Sequence, residues 1–327
     1  MHDFIAIGDM LTDAFIKLEE AEIAGTPDTS SYKICLPFAE KIPYESVTVV
    51  PAVGNAANAA VSAARLGLNS ALVSNIGDDE NGKECLAALE ASGVDPKFVK
   101  VHKDHKTNYH YVLWFPPDRT ILTKHETFEY NFLDVGTPSW MYFSSVAETA
   151  FPYHEFVADY LDTHPNIHFA FQPGKNEIKL GKDKLARFYK RADMFFSNVE
   201  EAGVILGIET LGVQELLKRM RELGPKIVVI TDGPKGAYAY NGTDTWFIPV
   251  FPDGLNAFER TGAGDAFAST CVASLSLGNE LPEALAWSAV NSASVVQQIG
   301  AQKGLLSKDA ILQKLTNAPD FKAQKIS

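Results

Sequence analysis

Short apolar runs alternate with helical patterns along most of the chain. The runs FIAIG, SALVSNIG, IHFAF and KIVVITDG are typical of strands, and NAANAAVSAARLG and NGKECLAALEASG are typical of helices. Strands that alternate with helices predict βαβ units. The pattern therefore predicts an α/β fold: a doubly wound, mainly parallel sheet flanked by helices on both faces.

Two polar and aromatic runs break this alternation. Asn108 to Phe115 reads NYHYVLWF and Arg119 to Lys124 reads RTILTK, with PPD between them. The pattern predicts a β-hairpin, and the apolar-rich segment from Ser46 to Val50 predicts a further strand. We expect a small β-sheet lid, built from segments about 14–50 and 106–126, on a single domain that spans 1–327.

One stretch has no clear hydrophobic period. Glu19 to Tyr44 carries three prolines between polar residues. Prolines without a period are typical of irregular loops. We predict an irregular surface excursion there.

Composition and charge exclude several classes of function. The chain has 327 residues, of which 46% are hydrophobic, so it can bury a large core. It carries 41 acidic and 29 basic residues, a net charge of −12, without a basic stripe. Nucleic acid is therefore not an expected partner.

Cysteine usage and hydropathy indicate a reducing, non-membrane setting. Cys35, Cys85 and Cys271 are far apart and lack CxxC spacing, which argues against a disulfide framework or a thiolate metal site. No apolar run reaches about 18 residues, and the first ten residues lack a basic segment followed by an apolar run. We expect a cytoplasmic location and no membrane partner.

The segment ERTGAGDAF, Glu259 to Phe267, carries the most informative chemistry. A good helix pattern, AFASTCVASLSLG, follows it and ends at Gly278. Thr261 to Gly264 therefore lies at a helix N-terminus, where open backbone N–H groups form an anion site. Asp265 would repel a bound phosphate, so its presence there indicates a group that takes a proton from the attacking nucleophile.

TGAGDAF resembles the C-terminal signature of the PfkB, or ribokinase-like, family of small-molecule kinases. Six other segments resemble landmarks of that family in the same order. They are GDMLTD (8–13), GNAANAA (54–60), NIGDDENG (75–82), NVEE (198–201), TDGPKGA (231–237) and GAQ (300–302). The resemblance covers nearly the whole chain and implies a ribokinase-like domain with a β-lid over the substrate, ATP as phosphoryl donor and Mg²⁺ as cofactor.

The resemblance implies a role for each acceptor-side residue. Asp265 would be the general base. The amides of Gly262, Ala263 and Gly264 would form an anion hole for the transferred phosphate. The residues implied to bind hydroxyls of a small sugar or sugar acid are Asp13, Gly54, Asn55 and Asn58. Simpler explanations exist for several of these residues, because Asp265 suits a helix dipole and Asp13 suits a turn or helix cap.

The nucleotide side is implied in the same way. Asn198 and Glu201 resemble the NxxE element that organises Mg²⁺, with Glu201 acting through water; a capping box explains the same two residues. Thr231, Gly233 and Gly236 resemble the turn on the nucleotide side. Asn291 is placed on the helix expected to flank adenine.

Departures from the family leave the cation and the acceptor open. Members that use a monovalent cation commonly have Asp two residues before the signature Thr, where this chain has Glu259, so K⁺ activation is uncertain. Ribokinase carries a lysine where this chain has Asn55. It also has a substrate-contacting glutamate near the strand that reads MYFSSVAE in this chain, so the resemblance does not identify ribose as the acceptor.

Motifs of other functional classes are absent or weak in the sequence. The dehydrogenase motif GxGxxG is absent from the first strand turn, and no GxxxxGK[ST] occurs. The histidine run 102–110 lacks HExxH spacing, so a metal role is disfavoured. A nucleoside kinase, with Tyr109, Tyr111 or Trp114 stacking a base, and a catalytically silent sugar-binding regulator remain alternatives.

The predicted hairpin also suggests an oligomeric state. Its apolar side chains Tyr111, Leu113 and Phe115 would leave a small sheet with two apolar faces. Such a sheet needs a second cover. We therefore expect a homodimer that pairs through the lids.

Overall fold

The computed structural model describes residues 1–25, 32–116, 118–131, 133–208 and 211–326. Within these ranges the main sheet has eleven strands. They are β1 (Phe4–Ile7), β6 (Ser70–Gly77), β7 (Val94–Asp95), β8 (Val99–His102), β11 (Trp140–Phe143), β12 (His168–Phe171), β13 (Met194–Asn198), β14 (Ile227–Thr231), β15 (Ala237–Tyr240), β16 (Thr245–Ile248) and β17 (Gln324–Lys325). Their order is β17-β16-β15-β14-β13-β12-β11-β1-β6-β7, with β8 also beside β6.

The sheet is parallel from β7 and β8 through β14 and antiparallel only at its β15–β17 edge. This confirms the predicted fold class. Adjacent strand residues face opposite layers, as the period of two requires. Phe4 and Ala6 lie in one buried cluster, whereas Ile5 and Ile7 lie in the other.

Ten α-helices, counted over the described ranges, flank the sheet. They are α1 (Asn55–Arg65), α2 (Glu80–Ala91), α3 (Phe151–Thr163), α4 (Lys175–Leu180), α5 (Ala186–Arg191), α6 (Val199–Leu206), α7 (Val213–Glu222), α8 (Ala263–Ser276), α9 (Leu281–Val295) and α10 (Lys308–Thr316). The small residues of α1, α8 and α9 belong to one cluster, and α3, α5, α6 and α7 contribute to the other. Helices therefore cover both faces of the sheet.

A second, four-stranded sheet lies apart from the main one; we call it the lid sheet. Its order is β10-β9-β2-β5, from β2 (Leu11–Leu18), β5 (Tyr44–Val53), β9 (Asn108–Phe115) and β10 (Asp118–Lys124). The antiparallel pairing of β9 with β10 confirms the predicted hairpin, and β5 includes the strand predicted at Ser46 to Val50. Strand β2 pairs parallel to β9 and antiparallel to β5.

The stretch from Glu19 to Tyr44 is more ordered than predicted. Strands β3 (Glu22–Ala24) and β4 (Lys33–Cys35) form a two-stranded antiparallel ladder, while residues 26–31 lie outside the described residues. Ladder hydrogen bonds form here without a buried apolar face, so the hydrophobic pattern gave no signal for them. Across the described ranges, no helix combines the length and apolar character that crossing a membrane requires.

Candidate active site

The N-terminus of α8 is built on glycine. Gly262 caps the helix with φ 81°, in the left-handed region, and a Cβ atom there would overlap Ala301. Both the conformation and the close approach therefore require glycine. Helix α8 begins at Ala263, so the amides of its first turn lack helical acceptors. The Ala263 amide instead lies 3.4 Å from the carbonyl oxygen of Arg260, a long hydrogen bond.

Asp265 lies buried in that first turn, and three amide groups hold its carboxylate. Asn55 Nδ2 donates to Oδ1 over 2.9 Å, Asn58 Nδ2 donates to Oδ2 over 2.8 Å, and Gln172 Nε2 lies 3.3 Å from Oδ1. Burial raises the pKa of Asp265, and the bonds from Asn58, Asn55 and Gln172 offset part of that effect. The structure thus brings together Asp265 and two of the residues predicted to bind substrate.

The start of α1 positions the two asparagines. Gly54 precedes it with φ 114°, and a Cβ atom there would lie 2.5 Å from the carbonyl oxygen of Asp9. Asn58 is fixed from behind, since Gln302 Nε2 donates to Asn58 Oδ1 over 3.0 Å. Gln302 also donates to the carbonyl of Ala52 over 2.7 Å. The orientation of the Asn58 amide is therefore set before any substrate binds.

A cavity of about 860 Å³ opens beside Asp265; we call it the acceptor cavity. Most of the predicted site residues line it. They are Asp13, Gly54, Asn55, Asn58, Asn198, Glu201, Thr231, Gly262, Gly264 and Asp265. Sequence reasoning did not select several further polar residues of its wall, among them Asp9, His110, Arg119, His125, Gln172, Lys175 and Arg260.

Two aspartate–histidine pairs stand in the acceptor cavity. Asp13 Oδ1 lies 3.6 Å from His110 Nδ1, and Asp9 Oδ2 lies 3.9 Å from His125 Nδ1. Neither oxygen has a hydrogen-bond partner among the described residues, although both are buried. Buried carboxylate oxygens without a partner are costly, and a hydroxyl-bearing ligand would satisfy them.

Asp9 is also held from the protein side. Tyr130 donates its hydroxyl to Asp9 Oδ1 over 2.7 Å. Burial raises the pKa of Asp9 to about 7, although the bond from Tyr130 lowers it. Asp9 follows Gly8 at the carboxyl end of β1, where open α/β sheets bind ligands, and that position is a sequence signal that could have identified it.

A second cavity, of about 540 Å³, also borders the α8 N-terminus; we call it the nucleotide cavity after its predicted ligand. Small and aliphatic residues form much of its wall, and it includes the predicted Thr231, Gly233, Gly236, Ala263 and Gly264. Four residues line both cavities: Thr231, Arg260, Gly264 and Phe267. The two cavities therefore meet at the turn from Thr261 to Gly264, which we call the anion-hole turn after its predicted role.

Asn198 and Glu201 form a capping box at the start of α6, as the sequence also predicts for these two residues. Glu201 Oε2 accepts the amide of Asn198 over 2.9 Å, and the Asn198 side chain accepts the amide of Glu201 over 2.8 Å. Both residues still line the acceptor cavity. Burial raises the pKa of Glu201; the bond from Asn198 lowers it, and the charge of Asp265 raises it.

These residues fit a hydrated Mg²⁺ better than a protein-coordinated one. Within the described part of the chain, no three His, Cys, Asp or Glu residues cluster as metal ligands. Mg²⁺ usually keeps several waters and takes one or two carboxylates plus substrate phosphates. Glu201, with an oxygen donor at the cavity wall, suits such a water-mediated contact.

Asn291 does not reach either cavity. It is completely buried, its Nδ2 donates to Thr270 Oγ1 over 2.8 Å, and its Oδ1 accepts the amide of Leu306 over 2.8 Å. Its amide therefore ties α9 to α8 and to the following segment, and its contact with a nucleotide stays a prediction. The α9 residues that line the nucleotide cavity are Ala289, Ser292 and Ala293.

Comparison with known proteins agrees with this geometry. The model of the pfkB family carbohydrate kinases matches residues 28–308. An ATP-dependent 6-phosphofructokinase from Thermoanaerobacterium thermosaccharolyticum is 26% identical over 274 residues, 79% of this chain and 83% of that protein. A nucleoside kinase from Methanothermobacter thermautotrophicus is 26% identical over 266 residues, 80% of this chain and 84% of that protein.

The fold also matches solved structures. A protein assigned as ribokinase II of Escherichia coli, solved with ATP and Mg²⁺, superposes with a TM-score of 0.75. Its sequence is 17% identical, and the match covers 97% of this chain and 100% of that one. Because the family model spans most of the sequence, the chain belongs to the PfkB family of carbohydrate kinases, a family of phosphotransferases.

Proposed function

We propose that this kinase transfers the γ-phosphate of ATP to a hydroxyl of a small sugar or sugar acid, with Asp265 as general base. The observation that carries the proposal is the position of Asp265. Its buried carboxylate lies in the first turn of α8, at the wall of the acceptor cavity and beside the turn shared with the nucleotide cavity.

The residues around Asp265 suit proton removal. A hydroxyl bound in the acceptor cavity would donate to Asp265, which accepts its proton as the oxygen attacks phosphorus. Amides at Gly262, Ala263 and Gly264 would compensate the charge on the transferred group. When bound, Mg²⁺ neutralises phosphate charge, and Glu201 would hold it through water.

The wall of the acceptor cavity favours a polyhydroxylated acceptor. Asp9, Asp13, Asn55 and Asn58 offer carboxylate and amide groups that bind hydroxyls directionally. Unpartnered oxygens on Asp9 and Asp13 are placed to accept hydroxyl protons. A sugar or sugar acid satisfies more of these groups than a flat base does.

A nucleoside kinase is the second candidate, because a nucleoside kinase is among the relatives. The aromatic residues weighed for base stacking do not support it. Among the described residues, Tyr109, Tyr111 and Trp114 are absent from the acceptor cavity wall, and Trp114 is buried against Phe258. A catalytically silent regulator is disfavoured because Asp265 keeps its full hydrogen-bonded setting.

An acceptor panel with Mg·ATP tests the proposal. ADP release is measured with ribose, fructose, ketodeoxygluconate and nucleosides, and the best acceptor is carried forward. We expect turnover with a sugar or sugar acid to exceed turnover with every nucleoside. A clear preference for a nucleoside would replace the proposed acceptor class.

Asp265→Asn tests the base. The variant keeps shape but cannot accept the proton, so kcat should fall by roughly 10²- to 10⁴-fold. Asp309→Asn is the matched control, since Asp309 is the first-turn acid of α10 and lines neither cavity. If Asp265 only supports the helix dipole, both variants lower the melting temperature slightly and leave turnover unchanged.

We also propose that two copies pair through the outer face of the lid sheet. Tyr111 and Leu122 lie opposite each other on β9 and β10, and each is about half exposed. Val47 and Val49 of β5 extend the exposed apolar face. Light scattering at micromolar concentration should give a dimer mass, and Leu122→Glu should give a monomer; a monomeric wild type would contradict the pairing.

A further inference from the structure

Arg260 stands where the two cavities meet. It lines both the acceptor cavity and the nucleotide cavity, directly before the anion-hole turn that begins at Thr261. Its side chain is 55% exposed, and its nearest acidic partner is Asp118 Oδ1, 3.8 Å from Nη1. A group bridging the two cavities would therefore pass beside a guanidinium whose one ion pair within the described ranges is this long contact with Asp118.

The lid hairpin contacts the two residues that precede Arg260. Phe258 packs edge-on against Trp114 of β9, with ring centroids 5.1 Å apart. Glu259, almost fully buried, has Oε1 3.5 Å from Nε of Arg119 on β10. With Asp118 beside Arg260, three consecutive loop residues each meet one residue of the hairpin.

Arg119 and Arg260, which both lie near the contact between the hairpin and the loop, have different roles. Glu259 Oε1 accepts both the amide and the hydroxyl of Thr261, over 2.8 and 2.6 Å. Arg119 faces this buried carboxylate and supplies its countercharge. Arg260 has no buried partner among the described residues, so its charge is available to a ligand.

Charge at the acceptor cavity calls for such a cation. Asp265, Glu201 and Asp13 all line the wall and would repel a transferred phosphate. Phosphoryl transfer depends mainly on positioning and on neutralising charge, and an arginine suits both because its planar fork binds phosphate oxygens in pairs. Lys175 lines the acceptor cavity only, whereas Arg260 lines both.

We propose that Arg260 binds the γ-phosphoryl group of ATP and stays on it during transfer, and that Asp118 of the lid hairpin orients its guanidinium. The inference rests on the proposed function, since it names the phosphate ligand of the same site. Arg260 is thereby a catalytic residue, and Asp118 is a positioning residue.

Nucleotide affinity tests the assignment without an acceptor. Calorimetry compares Mg·AMP-PNP, which carries a γ-phosphate group, with Mg·ADP, which does not. Arg260→Met should weaken AMP-PNP binding about 10- to 100-fold, as expected for the loss of a charge-assisted contact, and leave ADP affinity within about 2-fold. Arg260→Lys should recover part of the loss, and Asp118→Asn should cost less than Arg260→Met.

The controls separate this inference from the proposed function. Arg219→Met removes an exposed, ion-paired arginine of α7 and should leave both affinities unchanged. Equal loss of AMP-PNP and ADP affinity in Arg260→Met, or no loss of either, would overturn the role of Arg260 while leaving ATP binding intact. A wild type that binds neither nucleotide would instead overturn the proposed kinase activity.

Discussion

The acceptor cavity and the nucleotide cavity share the N-terminus of α8 but are built from different materials. The wall of the acceptor cavity carries carboxylates, amides, histidines and cations beside apolar residues such as Leu11, Ile121 and Phe196. The nucleotide cavity is lined largely by glycine, alanine, proline and valine, with Thr231, Asp253, Asn256, Arg260, Ser292 and Gln297 among its polar residues. One half therefore offers directional hydrogen bonds, whereas the other offers mainly shape.

The difference indicates how each half selects its ligand. A polar wall discriminates strongly, because a ligand that leaves a buried donor or acceptor unpaired pays its full desolvation cost. An apolar wall discriminates weakly, by volume, since one methylene is worth only about 1–3 kcal/mol. We expect substitutions in the acceptor cavity to change the acceptor, and substitutions in the nucleotide cavity to change ATP affinity.

Asp13→Asn should give the largest effect on binding. It replaces a buried carboxylate, whose Oδ1 lacks a partner among the described residues, by an amide. Loss of a charge-assisted bond of about 1.5–3 kcal/mol should raise the acceptor KM roughly 10- to 100-fold and leave the ATP KM within about 2-fold. Asp320→Asn, at an exposed position, is the control and should leave both KM values unchanged. If Asp13→Asn raised the ATP KM as much as the acceptor KM, the two cavities would not act separately.

Ala293→Leu should give the reverse pattern with a smaller effect. Ala293 lies on α9 at the wall of the nucleotide cavity, so added carbon atoms occupy space that ATP needs. Overpacking costs about 1–3 kcal/mol, so the ATP KM should rise about 10-fold with the acceptor KM unchanged. Ala310→Leu on α10 controls for general destabilisation, and an equal change in both KM values would contradict separate halves.

Asp9→Asn should change the pH dependence of stability. The folded pKa of Asp9 is about 7, above its unfolded value of about 3.9, so the folded chain holds an extra proton between these values. The free energy of unfolding therefore falls as pH rises from about 4 to 7. Asn can still accept from Tyr130, and it should remove this decline, which is on the order of 4 kcal/mol because about three pKa units separate the folded and unfolded values.

Denaturant unfolding of wild type and Asp9→Asn at pH 4.5, 6 and 8 measures that difference. His125 and Glu177 also act on Asp9, through proximity and charge, so the two proteins are compared at each pH. Parallel stability curves for the two proteins would show that Asp9 does not bind a proton on folding. The Asp9 carboxyl group in the acceptor cavity would then be less strongly desolvated than its burial indicates.

The smallest effect is expected from monovalent cations. Glu259, in place of the aspartate of cation-using members, already faces Arg119 and binds Thr261. A built-in countercharge leaves little for K⁺ to add, so turnover in K⁺ and in Na⁺ should differ by less than about 2-fold. Strong activation by K⁺ over Na⁺ would show that a cation site exists beside this pair.

Much of the fold followed from local pattern. The alternation of apolar runs and helical stretches predicted the layered sheet, because period and burial act within a few residues. The turn at Gly262 to Gly264 could be placed at the start of α8 for the same reason. The proximity of Asp265 to Asn58 came from the family resemblance, and the structure shows the hydrogen bond that joins them.

The missed residues depend on long-range approach. Arg119 and His125 reach the acceptor cavity only because the lid hairpin lies over the end of the main sheet, which no local period encodes. The surroundings of Asn291 could not be predicted either. An asparagine on a helix looks the same in sequence whether it faces a ligand or, as here, bonds Thr270 in the core.

The hydrogen bonds behind Asp265 have a fixed direction. Gln302 donates to Asn58, and Asn58 donates to Asp265. If the side-chain amide of Asn58 or Gln302 were flipped, two hydrogen-bond acceptors would face each other. All three residues lie outside the lid sheet. The evolutionary consequence is that lid residues can diverge toward new acceptors while Asp265, the proposed base, keeps its alignment. The inheritance of chemistry is then separate from the inheritance of specificity.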